Sequence, residues 1–528
     1  MERTIGAGRL SGGIFLAVFT LLFWFQGNRF VLTNDEGILL EPARQIAAGA
    51  RPYVDFFGYM SPGSYWIQAA FFKLFGVSLW VGRLPVLLGL SLQCALLFWL
   101  TEVLSSRRAA WAASVVFLGF QVSDPSLLTA QHRWDSAALA LAGLCLAVAA
   151  AREQWRGRAW AASGALLAAA AWCTPSMALV GVVEVTWLVC SVERRKSCLP
   201  VLAGAAAVTA LAAGGLAAAG SWNAFLVQML WLRHNYAMVN VMPYGSVIGG
   251  YAALFQGTSG AEMALRGLLV FCLALPAILP PLGCALWTWL LGRDVTTYGE
   301  KAPLFLLLPA TAAMAASTFP RADVTHLTFI AALPYALVAA AFSRLLSLRA
   351  GAILAFTAIP FAILFSLNGL ASWFSTRPIH TPVGRMRAEP KLAAEVAKLL
   401  TAVRPGAQLF IHPYMPVNYF ITQSENPTRF SFLAPGMMTR AEEVQALQQL
   451  HARAPEWVLY MTLTREEFLR VFPNAGGLDN RFTAIEQWLE KHYVAVEGAG
   501  AVNIGGYRLM RRIDGPVQAP VLAQSAGN

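Results

Sequence analysis

Two adjacent carboxylates follow the first long apolar segment of the chain. Asp35 and Glu36 come directly after that segment, and Arg51, Tyr53 and Asp55 follow within twenty residues. Neighbouring carboxylates repel each other and are costly to desolvate, so they persist where water or a cation compensates them. A carboxylate in such a place can accept a proton from a substrate. It can equally be the negatively charged first turn of a loop helix, and the residue types alone leave both interpretations open.

Polar and charged side chains also gather beside three other apolar segments. They form the groups His132 with Asp135, Arg233 with His234, and Arg321 with Asp323 and His326. Guanidinium groups bind phosphate through charge-assisted, two-point hydrogen bonds. If these groups converge with Asp35 on one face, they form a site for a phosphate-bearing substrate dissolved in the membrane. Taken singly, a residue such as His326 is more often a helix-end or core residue.

The elements that must position these residues are membrane-spanning helices. The chain has 528 residues, of which 57% are hydrophobic and 13% charged, whereas soluble domains carry about 25% charged residues. The apolar residues fall into blocks of about twenty, the length at which a helix crosses the hydrocarbon core. This pattern predicts a multi-pass α-helical membrane protein and excludes a soluble enzyme, a disordered chain and a collagen-like fibre. We predict eleven spans, near residues 12–32, 77–103, 108–122, 134–151, 159–174, 177–192, 199–219, 267–291, 303–318, 327–343 and 351–370.

The basic residues predict the orientation, because lysine and arginine mark cytoplasmic loops. Clusters at 107–108, at 194–196 and at Arg152, Arg156 and Arg158 all fall on one side if the N-terminus is inside. We therefore predict a protein of the cytoplasmic (inner) membrane whose C-terminal region lies outside, in a periplasmic or other extracytoplasmic space. These loops account for the net charge of +11, and we expect no nucleic-acid partner. The seven cysteines include no CxxC pair, so disulfide frameworks and zinc sites have no support.

The predicted outer face carries two long loops and a soluble region. We divide the chain into a transmembrane catalytic domain, residues 1–375, with outer loops at 33–76 and 220–266, and an outer domain, residues 376–528. In the latter, short apolar runs at 408–411 and 456–461 alternate with amphipathic stretches, which is typical of a small α/β domain. Thr439 and Glu442 in that region have the spacing of a helix capping box.

The second outer loop contains a stripe of apolar residues at helical spacing. The stripe consists of Trp222, Phe225, Leu226, Met229 and Leu230. It fits a helix that lies flat in the outer membrane interface. An ordinary packed loop helix explains it equally well.

The ordered motifs at the start of the chain resemble those of a known enzyme family. Asn34-Asp35-Glu36-Gly37 is followed by residues 47–55, which read AAGARPYVD, by Ser61-Pro62-Gly63, by residues 74–78, which read LFGVS, and by Arg83. This series is similar to the opening of GT-C glycosyltransferases, in particular the family 39 and ArnT-like bacterial enzymes related to protein O-mannosyltransferases. The match covers roughly residues 30–100, and the predicted plan of helices and outer regions also fits.

The resemblance implies a hexosyl- or pentosyltransferase that takes a sugar from a polyprenyl-phosphate carrier on the outer face of the membrane. It implies that Asp35 is the catalytic base and that Asp135 assists the site. The chain has no counterpart of the lysine that ArnT-type enzymes place in the first outer loop, unless Arg51 or Lys73 substitutes for it. The paired prolines of the family are here Ser61-Pro62-Gly63. The sugar and the acceptor, which is a lipid, a glycan or a protein, therefore stay open.

The chemistry of a phosphate leaving group explains why one principal carboxylate is enough. Glycoside hydrolysis generally needs an acid as well as a base or nucleophile, but phosphate departs as an anion. We expect inverting single displacement with Asp35 as base, with Glu36 orienting the donor sugar or a cation, and with Arg51, Arg321 and His326 as phosphate contacts. The same ligand types would also allow a divalent cation at Asp35, Glu36 and Asp135.

A transporter or flippase of lipid-linked sugars is the alternative function. It explains the spans and the intramembrane Glu184, because a charge inside the bilayer is by default a functional candidate. It does not explain why polar groups collect on one face or why a globular region lies outside. The sequence also lacks an evident inverted repeat of the kind that many transporters have.

Overall fold

The protein is a helical bundle with a small mixed α/β region at its C-terminal end. The computed structural model describes residues 2–153, 157–257, 260–293, 298–434, 438–462, 464–471, 474 and 483–513. Arg156, which we placed in a cytoplasmic loop, and residues 514–528 of the predicted outer domain lie outside the described residues. The helices are α1 Glu2–Gln26, α2 Asn34–Ala47, α3 Pro62–Phe75, α4 Leu79–Leu104, α5 Arg107–Gln121, α6 His132–Glu153, α7 Gly157–Cys173, α8 Ala178–Val189, α9 Cys198–Ala218, α10 Trp222–Trp231, α11 Ala237–Val239, α12 Gly260–Gly292, α13 Tyr298–Ser317, α14 Val324–Phe329, α15 Ala332–Leu345, α16 Leu348–Phe374, α17 Pro390–Ala402, α18 Val417–Thr422, α19 Arg440–Ala452, α20 Arg465–Val471 and α21 Thr483–His492.

Every predicted span coincides with one of these helices. They are α1, α4 to α9, α12, α13, α15 and α16. Within the described residues, six helices are long and apolar enough to cross a membrane, namely Gly8–Gln26, Leu79–Leu104, His132–Arg152, Arg195–Ala218, Glu262–Gly292 and Arg349–Phe374. The remaining predicted spans are shorter, so it stays a prediction that each of them crosses the membrane. The chain is thus a multi-pass membrane protein.

The bundle has a buried centre and an apolar periphery. Helix α4 packs against α1, α5, α6 and α15, and most of α4 and α6 is buried, whereas α9, α12 and α16 expose most of their apolar surface. Exposed apolar helix faces suit contact with lipid tails. Helices α7 and α9 approach closely at Gly164 and Gly204, where a side chain on either residue would collide with the opposite backbone. Small residues at such crossings let helices pack without a hydrophobic driving force.

The C-terminal region contains the predicted strands and helices. A hairpin of β1 Arg377–Thr381 and β2 Gly384–Ala388 follows α16 directly. A second sheet has the order β3-β4-β7-β5 with β6 beside β7, and only the β3–β4 pair is parallel. Its strands are β3 Leu409–His412, β4 Trp457–Tyr460, β5 Tyr493–Ala495, β6 Asn503–Ile504 and β7 Tyr507–Arg512. The capping box of Thr439 and Glu442 is confirmed at the start of α19.

The C-terminal region packs directly on the first loop, residues 33–76. A backbone hydrogen bond joins Phe57 N to Arg429 O (2.8 Å), and another joins Phe30 N, three residues before the loop, to Arg387 O (2.7 Å). Helix α18 lies against α2, and at Gly37 any side chain would collide with the backbone of Val417. Residues of both segments belong to one apolar cluster. The first loop is therefore an ordered layer between the bundle and the C-terminal region.

The apolar stripe of the second loop forms α10. Phe225 is buried against Tyr53 and Trp172, while Leu226 and Leu230 stay exposed. One face of α10 therefore packs on the first loop. Its placement in the outer membrane interface stays a prediction.

Candidate active site

Asp35 lies in the first turn of α2 and is exposed to solvent. Its Oδ2 accepts a hydrogen bond from Gln131 Nε2 at 3.3 Å. A carboxylate in the first turn is favoured by the partial positive charge of the helix end. None of the ion pairs among the described residues uses Asp35, so its carboxylate is accessible to a substrate hydroxyl.

Glu36, the second carboxylate of the pair, is fully buried and bound to Arg83 of α4. The guanidinium donates to both carboxylate oxygens, with Nη2 to Oε2 at 2.8 Å. Ala130 N donates to the same carboxylate at 3.2 Å, and Arg83 Nη1 donates to Leu128 O at 3.0 Å. The pair thus ties α2, α4 and the segment before α6 together. Glu36 is accordingly placed to position Asp35, and its bonds leave little capacity to orient a donor sugar or a cation.

Asp323, Arg321 and His326 form a hydrogen-bonded group at the start of α14. Asp323 is the N-cap of α14, and its Oδ1 accepts from His326 N at 3.0 Å and lies 2.7 Å from His326 Nδ1. Its Oδ2 accepts from Arg321 Nε at 3.2 Å, and Arg321 Nη1 donates to Asn240 Oδ1 at 3.4 Å. The sequence prediction that these three residues act together is consistent with this geometry.

The charges in this group set its protonation states. Burial raises the pKa of Asp323, but the hydrogen bond from His326 and the charges of His326 and Arg321 outweigh it and bring the pKa to about 2. Burial lowers the pKa of His326, as does the charge of Arg133, while the bond to Asp323 opposes both. At neutral pH, Asp323 is therefore charged and His326 neutral.

A pair of tyrosines links Asp35 to this group. Tyr59 of the first loop and Tyr236 of the second stack with ring centroids 5.3 Å apart. Burial raises the pKa of Tyr59, with a further contribution from the charge of Asp35 and an opposing one from Arg321. Burial likewise raises the pKa of Tyr236, opposed by the charges of Arg321 and Arg133. Asp35 and Arg321 therefore act on both rings, and Arg133 acts on Tyr236.

Arg133 is the site residue that the sequence prediction missed. It is 8% exposed, it lies in the first turn of α6, and it interacts electrostatically with Asp35, Asp323 and Arg321. Within the described part of the chain, no ion pair involves Arg133. A buried cation without a direct anionic partner is costly, so it marks a place for an anionic ligand. The signal was present at 131–135, where a basic residue stands between the two that we selected.

Of the other predicted residues, His132 in the first turn of α6 interacts electrostatically with Arg133 and His326, and the remaining ones lie elsewhere. Arg51 pairs with Asp55 at 2.9 Å beyond the C-terminal end of α2, and this helix of 14 residues is about 20 Å long. Tyr53 is buried in the same turn, where its hydroxyl donates to Met60 O at 2.7 Å. The structure therefore does not bring this turn to Asp35.

Asp135, Arg233 and His234 form no ion pair with the group around Asp35 within the described residues. Asp135 is buried and interacts with Cys173 of α7, which is on another side of α6 from Arg133. Arg233 and His234 are exposed in the π-helical turn Leu232–Tyr236, where His234 Nδ1 lies 2.8 Å from Leu230 O. Lys73 is exposed near the end of α3.

The proposed cation ligands do not form a metal site. Among the residues that the structure describes, no three His, Cys, Asp or Glu side chains are grouped so that they could hold a metal ion. Glu36 is bound to Arg83, and Asp135 lies in the bundle. The set of Asp35, Glu36 and Asp135 therefore does not fit a divalent cation.

Comparisons with known proteins agree with this architecture. A family model described as dolichyl-phosphate-mannose-protein mannosyltransferase matches residues 60–217. The fold is similar to ArnT from Cupriavidus metallidurans in the apo state, with a TM-score of 0.55 and 14% identity over 95% of this chain and 98% of that one. The chain is therefore similar in fold to glycosyltransferases of the GT-C type. No curated protein sequence matches it.

Two further structures share this GT-C fold. The same ArnT bound to undecaprenyl phosphate matches with a TM-score of 0.54 and 13% identity over 95% of this chain and 98% of that one. An oligosaccharyltransferase from Archaeoglobus fulgidus in the apo form matches with a TM-score of 0.51 and 12% identity over 90% of this chain and 72% of that one. At these identities the likeness concerns the fold. The family model begins after Asp35 and ends before Arg321, so the roles of these residues are argued from geometry.

Proposed function

We propose that this protein transfers a sugar from a polyprenyl-phosphate-linked donor to an acceptor hydroxyl on the outer face of the cytoplasmic membrane. The observation that carries the proposal is the exposed carboxylate of Asp35 near the buried guanidinium of Arg133, which forms no ion pair with the residues that the structure describes. A base and a cation at one membrane face are what transfer from a lipid phosphate requires. The similar fold of ArnT bound to undecaprenyl phosphate adds support.

The reaction is a single displacement with inversion at the anomeric carbon. The acceptor oxygen forms a bond to that carbon while the bond to the phosphate oxygen breaks, and the bonding electrons leave with the phosphate. Asp35 takes the proton of the acceptor hydroxyl, and a well-placed base contributes about 10²- to 10⁴-fold. The departing phosphate gains negative charge, which Arg133 and Arg321 stabilise.

Asp323, Asn240 and His326 are positioning residues in this mechanism. Asp323 and Asn240 hold Arg321 from two directions, so its orientation is set before the substrate binds. Neutral His326 donates its single N–H from Nδ1 to Asp323, so it holds this carboxylate in place and does not donate to the phosphate. Arg51, which pairs with Asp55, has no part in the mechanism.

The packing of the first loop also supports the proposed topology. Because residues of 33–76 share one core with the C-terminal region, both lie on the same side of the membrane. The chain must therefore cross an even number of times between them, and the ten predicted helices from α4 to α16 satisfy this condition. With α1 as an eleventh span, the N-terminus and residues 376–528, which follow the transmembrane domain 1–375, lie on opposite sides of the membrane. The basic loops favour the inside for the N-terminus.

The test is sugar transfer by purified protein in nanodiscs, using a radiolabelled polyprenyl-phosphate sugar and membrane glycans as acceptor. Asp35→Asn should lower the transfer rate by about 10²- to 10⁴-fold and leave membrane insertion intact. Asp124→Asn, which removes an exposed carboxylate that caps a neighbouring turn, is the matched control and should keep its rate. Full transfer by Asp35→Asn would reject Asp35 as base. Movement of labelled lipid across liposomes without product would instead indicate a flippase.

A further inference from the structure

A polar cavity lies at the end of α2 opposite to Asp35. It has a volume of about 760 Å³ and lies between the C-terminal part of α2, the turn that contains Asp55, the segment 425–431 and α19. Its walls thus come from both the first loop and the C-terminal region. The two segments are in contact on either side of it, through Gly37 against Val417 and Phe57 N to Arg429 O. The cavity is therefore a feature of the assembled outer layer.

The lining combines hydrogen-bond donors and acceptors without an excess of charge. Three arginines, among them Arg44 and Arg429, are balanced by three carboxylates, among them Glu41 and Asp55. Four amide side chains and two hydroxyl groups form the rest of the polar lining. Arg44 Nη2 donates to Glu41 Oε1 at 2.7 Å. Asp55 is ionised, because hydrogen bonds from the side chain and backbone of Arg51 lower its pKa. A balanced lining of this kind favours a neutral, polyhydroxylated ligand over a phosphate.

One donor in the lining has no partner. Arg429 Nε is buried and forms no hydrogen bond with the described residues, although Nη2 of the same side chain donates to Tyr53 O at 2.7 Å. A buried donor without a partner costs about 1–3 kcal/mol. Because this atom has almost no accessible surface, the orphaned donor is a cost of the cavity wall, and only the accessible polar groups of the lining can bind a ligand.

The distance to Asp35 restricts how such a ligand could react. Nine residues separate Asp35 from Arg44, which is about 13 Å along a helix. A sugar ring in the cavity cannot therefore also present its hydroxyl to Asp35. A chain of several sugars could occupy the cavity with one part and reach Asp35 with another.

We propose that this cavity binds an oligosaccharide segment of the acceptor. Only the statement that the ligand is the acceptor rests on the proposed function. The statement that the site binds a glycan rests on the volume and the lining of the cavity. It predicts that the acceptor is a glycan of several units and that its remote part contributes to affinity.

The experiment measures equilibrium binding of linear malto- and cello-oligosaccharides to the purified full chain in nanodiscs by calorimetry, with inorganic phosphate as a second probe. Affinity should rise with the number of glucose units. Ala48→Trp should weaken binding of the longest chain at least tenfold, because Ala48 lines the cavity with an exposed methyl group in an ordinary helical backbone conformation. Ala397→Trp, on the exposed face of α17 and outside the cavity, is the matched control.

A second variant tests the same proposal if the tryptophan disturbs folding. Gln445→Ala removes one exposed lining amide of α19 and should weaken binding about two- to tenfold, the usual value of one hydrogen bond. Equal affinity of the wild type and both variants, no binding of any oligosaccharide by the wild type, or preferential binding of phosphate would each overturn the proposal. Asp35→Asn should bind the oligosaccharides as well as the wild type, so a failure of the transfer mechanism is distinguished from a failure of this site.

Discussion

Each end of helix α2 has an acidic residue and a nearby arginine, but these two residues form an ion pair only at the C-terminal end. Beyond the C-terminal end, Arg51 and Asp55 form a direct, largely exposed ion pair. At the N-terminal end, Asp35 interacts with Arg133 over a longer distance, and neither residue has an ion-pair partner among the described residues. Charges that neutralise each other stabilise a turn locally, whereas separated charges retain the capacity to bind a substrate. The contrast can be tested by substitutions, which follow from the largest expected effect to the smallest.

Glu36→Gln should have the largest effect, on stability. The variant leaves Arg83 buried without its carboxylate, and breaking a buried pair typically costs 3–5 kcal/mol. Thermal unfolding in detergent would show a clear loss of stability. Glu102→Gln, which breaks the partly exposed pair with Arg107, should cost no more than about 1 kcal/mol. Equal effects of the two substitutions would contradict the role that we assign to Glu36.

Arg133→Gln should lower the transfer rate by about 10²- to 10³-fold, the usual loss for one preorganised group that stabilises developing charge. Arg133→Lys should restore part of the rate, because it keeps the charge and loses the two-point geometry. Steady-state transfer assays with the polyprenyl-phosphate donor would measure both. An unchanged rate in Arg133→Gln would show that the phosphate is held elsewhere.

Asp323→Asn should change how stability depends on pH. The pKa of Asp323, about 2, lies below its ordinary value of 3.8, so the carboxylate contributes stability above about pH 4 and loses it as the pH falls towards 2. The shift corresponds to about 2 kcal/mol. Denaturation at pH 4.5 and at pH 2.5 should therefore show a smaller decrease for the variant than for the wild type. A decrease of the same size in both would contradict the pairing with Arg321 and His326.

Arg51→Gln should have the smallest effect. Exposed ion pairs contribute little to stability, and this arginine is remote from Asp35. Its transfer rate should stay within about twofold of the wild type in the assay used for Arg133→Gln. A loss comparable to that of Arg133→Gln would contradict our proposal, because it would place the phosphate at the C-terminal end of α2.

The sequence was sufficient to locate the eleven apolar helices and two of the strands because their signals are local. Long apolar runs predicted the helices, and short apolar runs between amphipathic stretches predicted the strands at 409–412 and 457–460. It also located Asp35, because a carboxylate after an apolar segment is conspicuous. It could not predict that Glu36 pairs with Arg83, since 47 residues separate them and only tertiary packing joins them.

The choice between neighbouring residues was the least predictable part of the site. His132, Arg133 and Asp135 open one helix, and successive residues of a helix point about 100° apart. Which of them faces Asp35 depends on the rotation of α6 in the bundle, and hydrophobic patterning did not fix that rotation. We selected Arg51 because of its motif, but its turn lies at the C-terminal end of α2, beside the cavity.

The contact between the first loop and the C-terminal region has a consequence for biogenesis. Phe57 is hydrogen-bonded to Arg429, more than 370 residues later in the chain, so a nascent protein cannot complete the surroundings of α2 during translation. The bundle can insert helix by helix, but the loop that carries Asp35 reaches its final form only after the ribosome has released the last strands. Under the proposed topology and function, newly inserted protein stays inactive until its C-terminal region has been exported and folded.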